Sequence, residues 1–314
     1  MRKLLLNVRK IFLLNYIVRK AIAVSGLFSA NVHHKLASHW SLKGVIPIHF
    51  LGFNIKMKTD CDDGIVDRLY YQNTHPEQNE LFVFSVLSKH SKTIIDIGAH
   101  TGIYSIVAAK SNPQAKVFSF EPHPYNYARL KSNVELNNLK NVQLVNKAVG
   151  DTLSNVEFNI PDDNRITDVA SIDKAFSAKM YIGSFKWKVI TAEQTTIDDF
   201  YNNSGLTNVD LIKMDVENYE LPVFKGMLHT IQNSKPFILC ELFHEPEKIK
   251  FIDELMKTNN YFVYDFTNEG LVFISNGVNQ YPTGLNYLLS PVNLGKFVAY
   301  NQLQNLNITA LYNS

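Results

Sequence analysis

The stretch Thr93-Ile-Ile-Asp-Ile-Gly-Ala-His-Thr-Gly102 decides the fold, because it carries an apolar strand directly into a turn with two glycines. A helical pattern begins immediately afterwards, at Ile103. In an open parallel sheet, ligands bind at the carboxyl ends of the strands. We therefore expect Gly98 and Gly102 to let the backbone approach a ligand, and Asp96 to place a carboxylate beside it.

Outward from this turn, strands alternate with helices. The predicted strands are Thr93–Gly98, Lys116–Glu121, Val142–Val149, Val209–Asp215, Phe237–Glu241, Tyr261–Phe266, Leu271–Ser275 and Tyr287–Ser290. The predicted helices are Ile103–Lys110, Tyr125–Leu136, Tyr219–Gln232 and Glu247–Asn259. This alternation is typical of α/β folds with a parallel sheet and helices on both faces. It stops between residues 151 and 195, which we interpret as an insertion that contributes to acceptor binding.

Charge is distributed unevenly along the chain. Residues 1–59 contain ten Lys or Arg and no Asp or Glu, whereas the rest of the chain carries a net charge of −8. An acidic body is a poor nucleic-acid binder, because neutralising phosphates needs a basic surface. The two cysteines, Cys61 and Cys240, fit no metal-ligand or C-x-x-C spacing. We therefore expect a reduced, cytoplasmic protein, with a disulfide between the two as the alternative.

The N-terminal segment Met1–Phe28 is predicted to be a basic helix. One sector of its helical wheel holds Leu4, Val8, Ile11, Val18 and Ile22. The basic residues, among them Arg19 and Lys20, lie on the other side. Three apolar residues interrupt that basic side: Leu6, Leu13 and Ile17. A transmembrane helix needs about 20 apolar residues, and no uncharged run here is that long. Three interpretations stay open: packing on the domain or on a second subunit, contact with an anionic membrane at its inner face, and targeting.

A small β-hairpin is predicted within residues 44–71, followed by a helix from Glu77 to His90. Short β-branched runs on either side of Leu51-Gly52 form the hairpin, and Asp62-Asp63-Gly64 is a turn signal. We expect these elements to precede the main domain.

Two more acidic residues lie where a nucleoside could bind. Glu121 ends the second strand, where a carboxylate can accept hydrogen bonds from both ribose hydroxyls or can cap the next helix. Asp151 follows the third strand and could accept from an adenine amino group or be an ordinary turn residue. His100 stands where the second glycine of G-x-G-x-x-G would be, which disfavours a nicotinamide or flavin enzyme.

Charge is also concentrated at the ends of the fourth and fifth strands. Lys213, Asp215 and Glu217 alternate along one of them, and Glu241 ends the other. Burying charge is costly unless the groups are paired or used. The pattern therefore predicts either an active site or a buried ion pair that orders the loop.

Together these segments resemble the FkbM family of class I methyltransferases, over about residues 80–291. The resemblance rests on Ile95–Gly102, Phe118–Pro124, Asn141–Val149, Thr196–Phe200, Val209–Glu217 and Phe237–Glu241. The family pattern usually has Asn where His100 stands and Gly where Asn218 stands. Neither departure affects Asp96, Glu121 or Asp215.

The resemblance implies a Rossmann-like fold with S-adenosylmethionine as cofactor. The expected sheet has seven strands, mostly parallel, in the order 3-2-1-4-5-7-6 with the seventh strand antiparallel. The expected organisation is a basic helix and hairpin over residues 1–76, a methyltransferase domain over residues 77–291 and a C-terminal tail over residues 292–314. The expected cofactor-binding residues are Asp96, Gly98, Ala99, His100, Gly102, Glu121, Pro122, Ala148, Asp151 and Asp215.

The reaction that the resemblance implies is O-methylation, often of a sugar or another natural-product hydroxyl. Asp215 or Glu217 is the predicted base, and His100 and Glu241 are the predicted acceptor contacts. No resident metal is expected, although strand-end carboxylates that hold Mg²⁺ are an alternative. The alternative function is a non-catalytic module that binds S-adenosylmethionine or a nucleotide and docks on a membrane or glycan assembly. A glycan or small-molecule acceptor and a second copy of the chain are the expected partners.

Overall fold

The computed structural model describes residues 12–25, 40–71, 76–162, 172, 186–274, 285–303 and 305. The helices are α1 Phe12–Ser25, α2 Gly64–Tyr71, α3 Pro76–Ser88, α4 Ile103–Ser111, α5 Pro124–Leu136, α6 Ile197–Asn203, α7 Glu220–Lys225, α8 Leu228–Ser234, α9 Pro246–Thr258 and α10 Tyr300–Leu303. The strands are β1 Lys43–Phe50, β2 Phe53–Asp60, β3 Thr93–Ile97, β4 Lys116–Phe120, β5 Val142–Val145, β6 Ala148–Val149, β7 Ser154–Pro161, β8 Trp187–Thr195, β9 Leu211–Met214, β10 Phe237–Glu241, β11 Phe262–Phe266, β12 Gly270–Phe273, β13 Asn286–Ser290 and β14 Phe297–Ala299.

The central sheet has the order β14-β12-β11-β13-β10-β9-β3-β4-β5. Its last seven members reproduce the predicted order 3-2-1-4-5-7-6, and β13 is antiparallel to both of its neighbours. This confirms the predicted Rossmann-like class. The predicted number of strands is too low, because β12 and β14 extend the edge to nine. Because β14 lies at Phe297–Ala299, part of the predicted C-terminal tail, residues 292–314, belongs to the sheet. The predicted domain boundaries themselves stay a prediction.

Apolar residues cover both faces of this sheet. In β3, Ile95 belongs to one buried cluster and Ile94 to the other, because successive side chains of a strand point to opposite faces. In β9, Ile212 and Leu211 divide in the same way. A sheet buried on both faces leaves only its strand ends for polar chemistry.

The N-terminal region packs on the methyltransferase-like body through a third cluster. Ile46 and Ile55 of the β1–β2 hairpin meet Ile106 of α4 in it, and α1 contributes Ile22. Val18 and Ile22 therefore face the body, as one interpretation of the helical wheel expects, while residues 1–11 lie outside the described residues. Arg19 was expected on the exposed side and is instead buried.

Two predicted elements are divided in the structure. The predicted third strand splits, because β5 stays in the central sheet while β6 pairs with β8 in the small sheet β6-β8-β7 of the insertion. The predicted helix Tyr219–Gln232 breaks into α7 and α8 at Gly226. A Cβ at Gly226 would overlap the carbonyl oxygen of Gly150, so the break lets the chain pass close to the end of β6.

Among the described residues, no helix is long and apolar enough to cross a membrane.

Candidate active site

A cavity of about 280 Å³ lies at the carboxyl ends of β3, β4, β9 and β10. Ten of the predicted site residues line it: Asp96, Gly98, Ala99, His100, Glu121, Pro122, Ala148, Asp215, Glu217 and Glu241. Gly102 and Asp151 do not line it. The structure therefore brings together residues that are up to 145 positions apart in sequence (Asp96 to Glu241), as the strand-end rule expects.

Gly98 gives the turn after β3 its shape. Its φ of 78° favours glycine, and a Cβ there would overlap the carbonyl oxygen of Asp215. The amides of Gly98 and Ala99 both donate to the carbonyl of Phe120, at 3.0 and 2.9 Å. The loop thus runs against the ends of β4 and β9, and its other side faces the cavity.

Gly102, a predicted cofactor-binding residue, packs against α5 and does not line the cavity. It precedes α4 with a φ of 95°, and a Cβ there would overlap the Leu130 side chain of α5. The expectation that this residue lets the backbone approach a ligand stays a prediction. Its requirement for glycine comes from helix packing and backbone conformation.

Both departures from the family pattern fall at left-handed backbone positions. His100 has a φ of 50° and Asn218 a φ of 73°. Asn and His are among the non-glycine residues that adopt this conformation most readily. The Asn218 side chain also donates to Glu245 at 2.8 Å and accepts from the buried Lys248. The substitutions therefore preserve the backbone path on both sides of the cavity.

Glu121 organises the loop from the end of β4. Its two carboxylate oxygens accept from the amides of His100 and His123, each at 2.8 Å. Burial raises the pKa of Glu121 to about 8, while these two amide donors act in the opposite direction. A carboxylate can accept about four hydrogen bonds, so Glu121 can still accept one from a ligand hydroxyl in the cavity.

A buried cluster of charge forms the floor of the cavity. The Lys213 ammonium lies 3.5 Å from the Asp215 carboxylate and is fully surrounded by protein. Burial alone lowers the pKa of Lys213, but Asp215, Glu80, Glu241 and Asp96 outweigh it, and its pKa is raised. The structure thus contains both predicted alternatives at once, an ion pair and a set of side chains open to the cavity.

Two acids of this cluster have displaced pKa values. Burial raises the pKa of Asp96 to about 6, although the Ser105 hydroxyl donates to it at 2.5 Å and Lys213 lies near. Burial, and then the charge of Asp215, raise the pKa of Glu241 to about 8. Glu241 therefore gains and loses its proton near neutral pH, as acid–base catalysis requires.

The turn after the hairpin, α2 and the start of α3 supply a wall of the cavity that the sequence prediction missed, the N-terminal wall. Asp62, Asp63, Arg68 and Glu77 all line it. Asp63 accepts from the Thr101 hydroxyl at 2.5 Å and from the Val66 amide at 3.1 Å, so it joins the cofactor-side loop to the start of α2. The signal was the Asp62-Asp63-Gly64 motif, which was interpreted only as a turn.

A second set of buried polar contacts fastens the hairpin to α5. The Arg129 guanidinium forms an ion pair with Asp62 and donates to the Lys58 carbonyl at 2.7 Å. Asn133 accepts from the Lys58 amide at 2.7 Å and donates to the Thr101 carbonyl at 2.8 Å. Thr101 is therefore held from the hairpin and from α5 together.

Three remaining groups lie outside the cavity. Asp151 is exposed, but its charge contributes to the raised pKa of Tyr219, which lines the cavity. His123 is buried, accepts from the Tyr125 amide at 3.1 Å and caps α5. Both cysteines are free thiols, and within the described residues no group of three or more His, Cys, Asp or Glu is arranged to hold a metal ion.

Comparison with known proteins agrees with this arrangement. The model of the methyltransferase FkbM domain matches residues 96–263. The 2-O-methyltransferase NoeI of Sinorhizobium fredii is 29% identical over 166 residues, which cover 51% of this chain and 66% of that protein. The hexuronic acid methyltransferase AglP of Haloferax volcanii is 24% identical over 171 residues, which cover 53% of this chain and 62% of that protein.

Among solved structures, the methyltransferase FkbM of Methylobacillus flagellatus matches 73% of this chain and 55% of its own chain, with 15% identity and a TM-score of 0.42. The chain spans less than two thirds of the length of either curated relative.

Proposed function

Since the chain belongs to the FkbM methyltransferase family, we propose that it transfers a methyl group from S-adenosylmethionine to a sugar hydroxyl. The family match confirms the predicted family and its cofactor. The sugar acceptor, the atom that is methylated and the residues that act on it are the parts proposed here.

The charge of the cavity is the observation that carries the proposal. Eight acidic and three basic side chains line it: Asp62, Asp63, Glu77, Asp96, Glu121, Asp215, Glu217 and Glu241 against Arg68, Lys147 and Lys213. Even with Glu121 and Glu241 protonated below their pKa values of about 8, the acidic groups outnumber the basic ones. A lining of this sign attracts a cationic sulfonium and hydroxyl donors and repels a diphosphate. It therefore supports S-adenosylmethionine over a dinucleotide, the cofactor of the oxidoreductase alternative.

The residues present fit such a cofactor at several points. Gly98 lets the loop pass against the Asp215 carbonyl and so keeps the backbone that lines the cavity in place, and Glu121 offers buried carboxylate oxygens to ribose hydroxyls. Asp96, which Ser105 holds in place, adds negative charge beside the loop. When bound, the cofactor supplies an electrophilic methyl group, and the protein's task is mainly to align the acceptor oxygen with it.

Glu241 is the residue that we assign as the base. It lines the cavity, and its pKa of about 8 allows it to accept the acceptor's hydroxyl proton near neutral pH. Asp215 and Glu217, the bases predicted from the sequence, then contact the acceptor or the cofactor. Lys213 keeps the floor of the cavity polar and pairs with Asp215.

The base assignment is tested with Glu241→Gln at saturating cofactor and varied acceptor. Because Glu241 of the unliganded chain is half ionised at about pH 8, kcat/KM of the wild type should rise with pH below that value and level off about one pH unit above it. The variant should lose this dependence and about 10²- to 10⁴-fold in kcat. If Asp215→Asn or Glu217→Gln shows that loss while Glu241→Gln does not, the base is one of the residues predicted from the sequence.

A neutral sugar hydroxyl is the acceptor class that the cavity favours. NoeI is named as a 2-O-methyltransferase and AglP as a hexuronic acid methyltransferase. The acidic lining repels a uronate carboxylate, and Arg68, the basic residue of the wall, is paired with Glu77. We therefore place neutral glycosides ahead of uronic acids.

Labelled S-adenosylmethionine tests this proposal with a panel of neutral glycosides, matched uronic acids and glycolipids. We expect label in an ether-linked methyl group of the neutral sugars. Label in a methyl ester of the uronic acids alone would contradict the acceptor class. Tight cofactor binding without transfer to any acceptor would favour the non-catalytic alternative, and a parallel titration with a chelator tests the Mg²⁺ alternative.

A further inference from the structure

Helix α1 exposes an apolar face to solvent. Its exposed residues are Leu13, Tyr16, Ile17, Lys20, Ala21 and Val24. At 100° per residue they fall within a sector of about 140°, and Lys20 is the single charged member. Four of the ten large hydrophobic side chains that are exposed in the described part of the chain lie on this one helix of 14 residues. Such a concentration marks an interaction surface.

The opposite side of α1 fixes its orientation with polar contacts. Asn15 donates to the Ser41 carbonyl at 2.9 Å and accepts from the Lys43 amide at 3.0 Å. The buried Arg19 guanidinium lies 4.9 Å from the ring centre of Tyr16 and 5.9 Å from that of Tyr70. Val18 and Ile22 pack on the hairpin cluster. The body therefore holds the helix with its apolar face outward.

We propose that this face, Leu13 to Val24 on the exposed side of α1, docks the protein on an anionic phospholipid bilayer. Apolar side chains inserted at the depth of the headgroups, flanked by Lys and Arg, are how interfacial helices bind. Residues 1–59 supply ten basic residues and no acidic one. Anionic headgroups complement that charge, and Lys20 lies within the face itself.

Charge also argues for a bilayer over a second copy of this chain. Pairing α1 with its counterpart would bring two Lys20 side chains and two basic N-terminal segments together, and like charges oppose that arrangement. The body beyond residue 59 has a net charge of −8 and is repelled by an anionic surface. Docking is therefore expected to occur through α1 and to weaken as salt screens its basic residues.

Flotation of the full chain with lipid vesicles tests the proposal without cofactor or acceptor, so its outcome is independent of methyl transfer. The vesicles are phosphatidylcholine alone, or phosphatidylcholine mixed with phosphatidylglycerol. The test variant is Leu13→Glu/Ile17→Glu, whose side chains are 66% and 54% exposed. Leu153→Glu/Val189→Glu is the matched control, because it adds the same charge at side chains that are 63% and 53% exposed elsewhere on the molecule.

We expect the wild type and the control to float with the anionic vesicles at low salt, and far less with phosphatidylcholine alone. The affinity of the α1 variant for these vesicles should fall by about tenfold or more, because two apolar groups no longer enter the interface. Equal binding by the two double variants, or no binding of the wild type, would overturn the proposal. The proposal would also be overturned if the wild type formed a dimer that does not bind vesicles and that the α1 variant disrupts. The apolar face would then bind a second copy of the chain.

Discussion

The two sides of the cavity are built by different physical means. The cofactor-side loop, Gly98–Gly102, owes its shape to left-handed backbone positions and to glycine, and it lies inside the family match. The N-terminal wall, formed by Asp62, Asp63, Arg68 and Glu77, is held by buried carboxylates and a guanidinium and lies outside that match. Thr101 is where the two meet. The family match therefore covers the residues of one side of this cavity and does not extend to those of the other.

Changing Gly98 is expected to have the largest effect on the loop. In Gly98→Ala the new Cβ overlaps the Asp215 carbonyl, so the loop must move away from β9. We expect the affinity for S-adenosylmethionine to fall by about 100-fold or more. Gly52→Ala is the control, because its φ of 83° is similar and nothing lies within 4 Å.

In the control, a left-handed alanine should cost about 1 kcal/mol of unfolding free energy and leave cofactor affinity unchanged. Calorimetric titration and thermal unfolding of both variants make this comparison. If the two substitutions reduce affinity equally, close approach of the backbone at Gly98 has no part in binding.

Glu121→Gln tests the side chain that organises the same loop. Glu121 now accepts hydrogen bonds from two backbone amides, and in the glutamine the side-chain NH2 group would face one of these donors. Glu121 is ionised above about pH 8, and hydrogen bonds to a charged group contribute about 1.5–3 kcal/mol, so cofactor affinity measured at about pH 9 should fall about 10- to 100-fold. Glu135→Gln removes one exposed carboxylate from α5 and should leave affinity unchanged. An unchanged dissociation constant for Glu121→Gln would refute this role.

A smaller effect is expected where the N-terminal wall meets the loop. Thr101→Val keeps the shape of the side chain but leaves the buried Asp63 oxygen without its hydroxyl donor. Cofactor affinity should fall about 5- to 20-fold, by the roughly 1–2 kcal/mol that such a loss costs. At saturation kcat should change little, because the loop and not the base is affected.

Thr101→Ser retains the hydroxyl and should restore most of that affinity. Asp162→Asn, at the exposed ion pair with Lys188, should have no effect, since surface pairs contribute little. If Thr101→Ser binds as poorly as Thr101→Val, the methyl group and not the hydrogen bond to Asp63 matters.

The sequence predicted the cofactor side well for a physical reason. Periodicity locates strands, and a parallel sheet brings their carboxyl ends to one edge, so Asp96, Glu121, Asp215 and Glu241 could be placed together from their positions alone. The order of the seven core strands came from the family resemblance. Of the two further edge strands, β12 was predicted as Leu271–Ser275, whereas β14 was not, because a strand of three residues has too weak a pattern.

The N-terminal wall could not be predicted in the same way. Its contacts join residues 38 and 67 positions apart, Asp63 to Thr101 and Asp62 to Arg129, and no periodicity encodes such side-chain pairs. The contact of Gly102 with Leu130 is likewise a tertiary contact that the sequence pattern does not show. The exposed side of α1 was missed because a helical wheel does not show which of two apolar sectors the body covers.

Hydrogen exchange of the full chain with and without S-adenosylmethionine tests most directly that these two regions form one cofactor site. We predict that the cofactor slows exchange in the Gly98–Gly102 loop and, in parallel, in Asp62–Tyr71, because Asp63 and Thr101 link them. In Thr101→Val the second region should lose its protection while the first keeps part of it. Protection confined to the loop, with Asp62–Tyr71 unchanged in the wild type, would contradict the account.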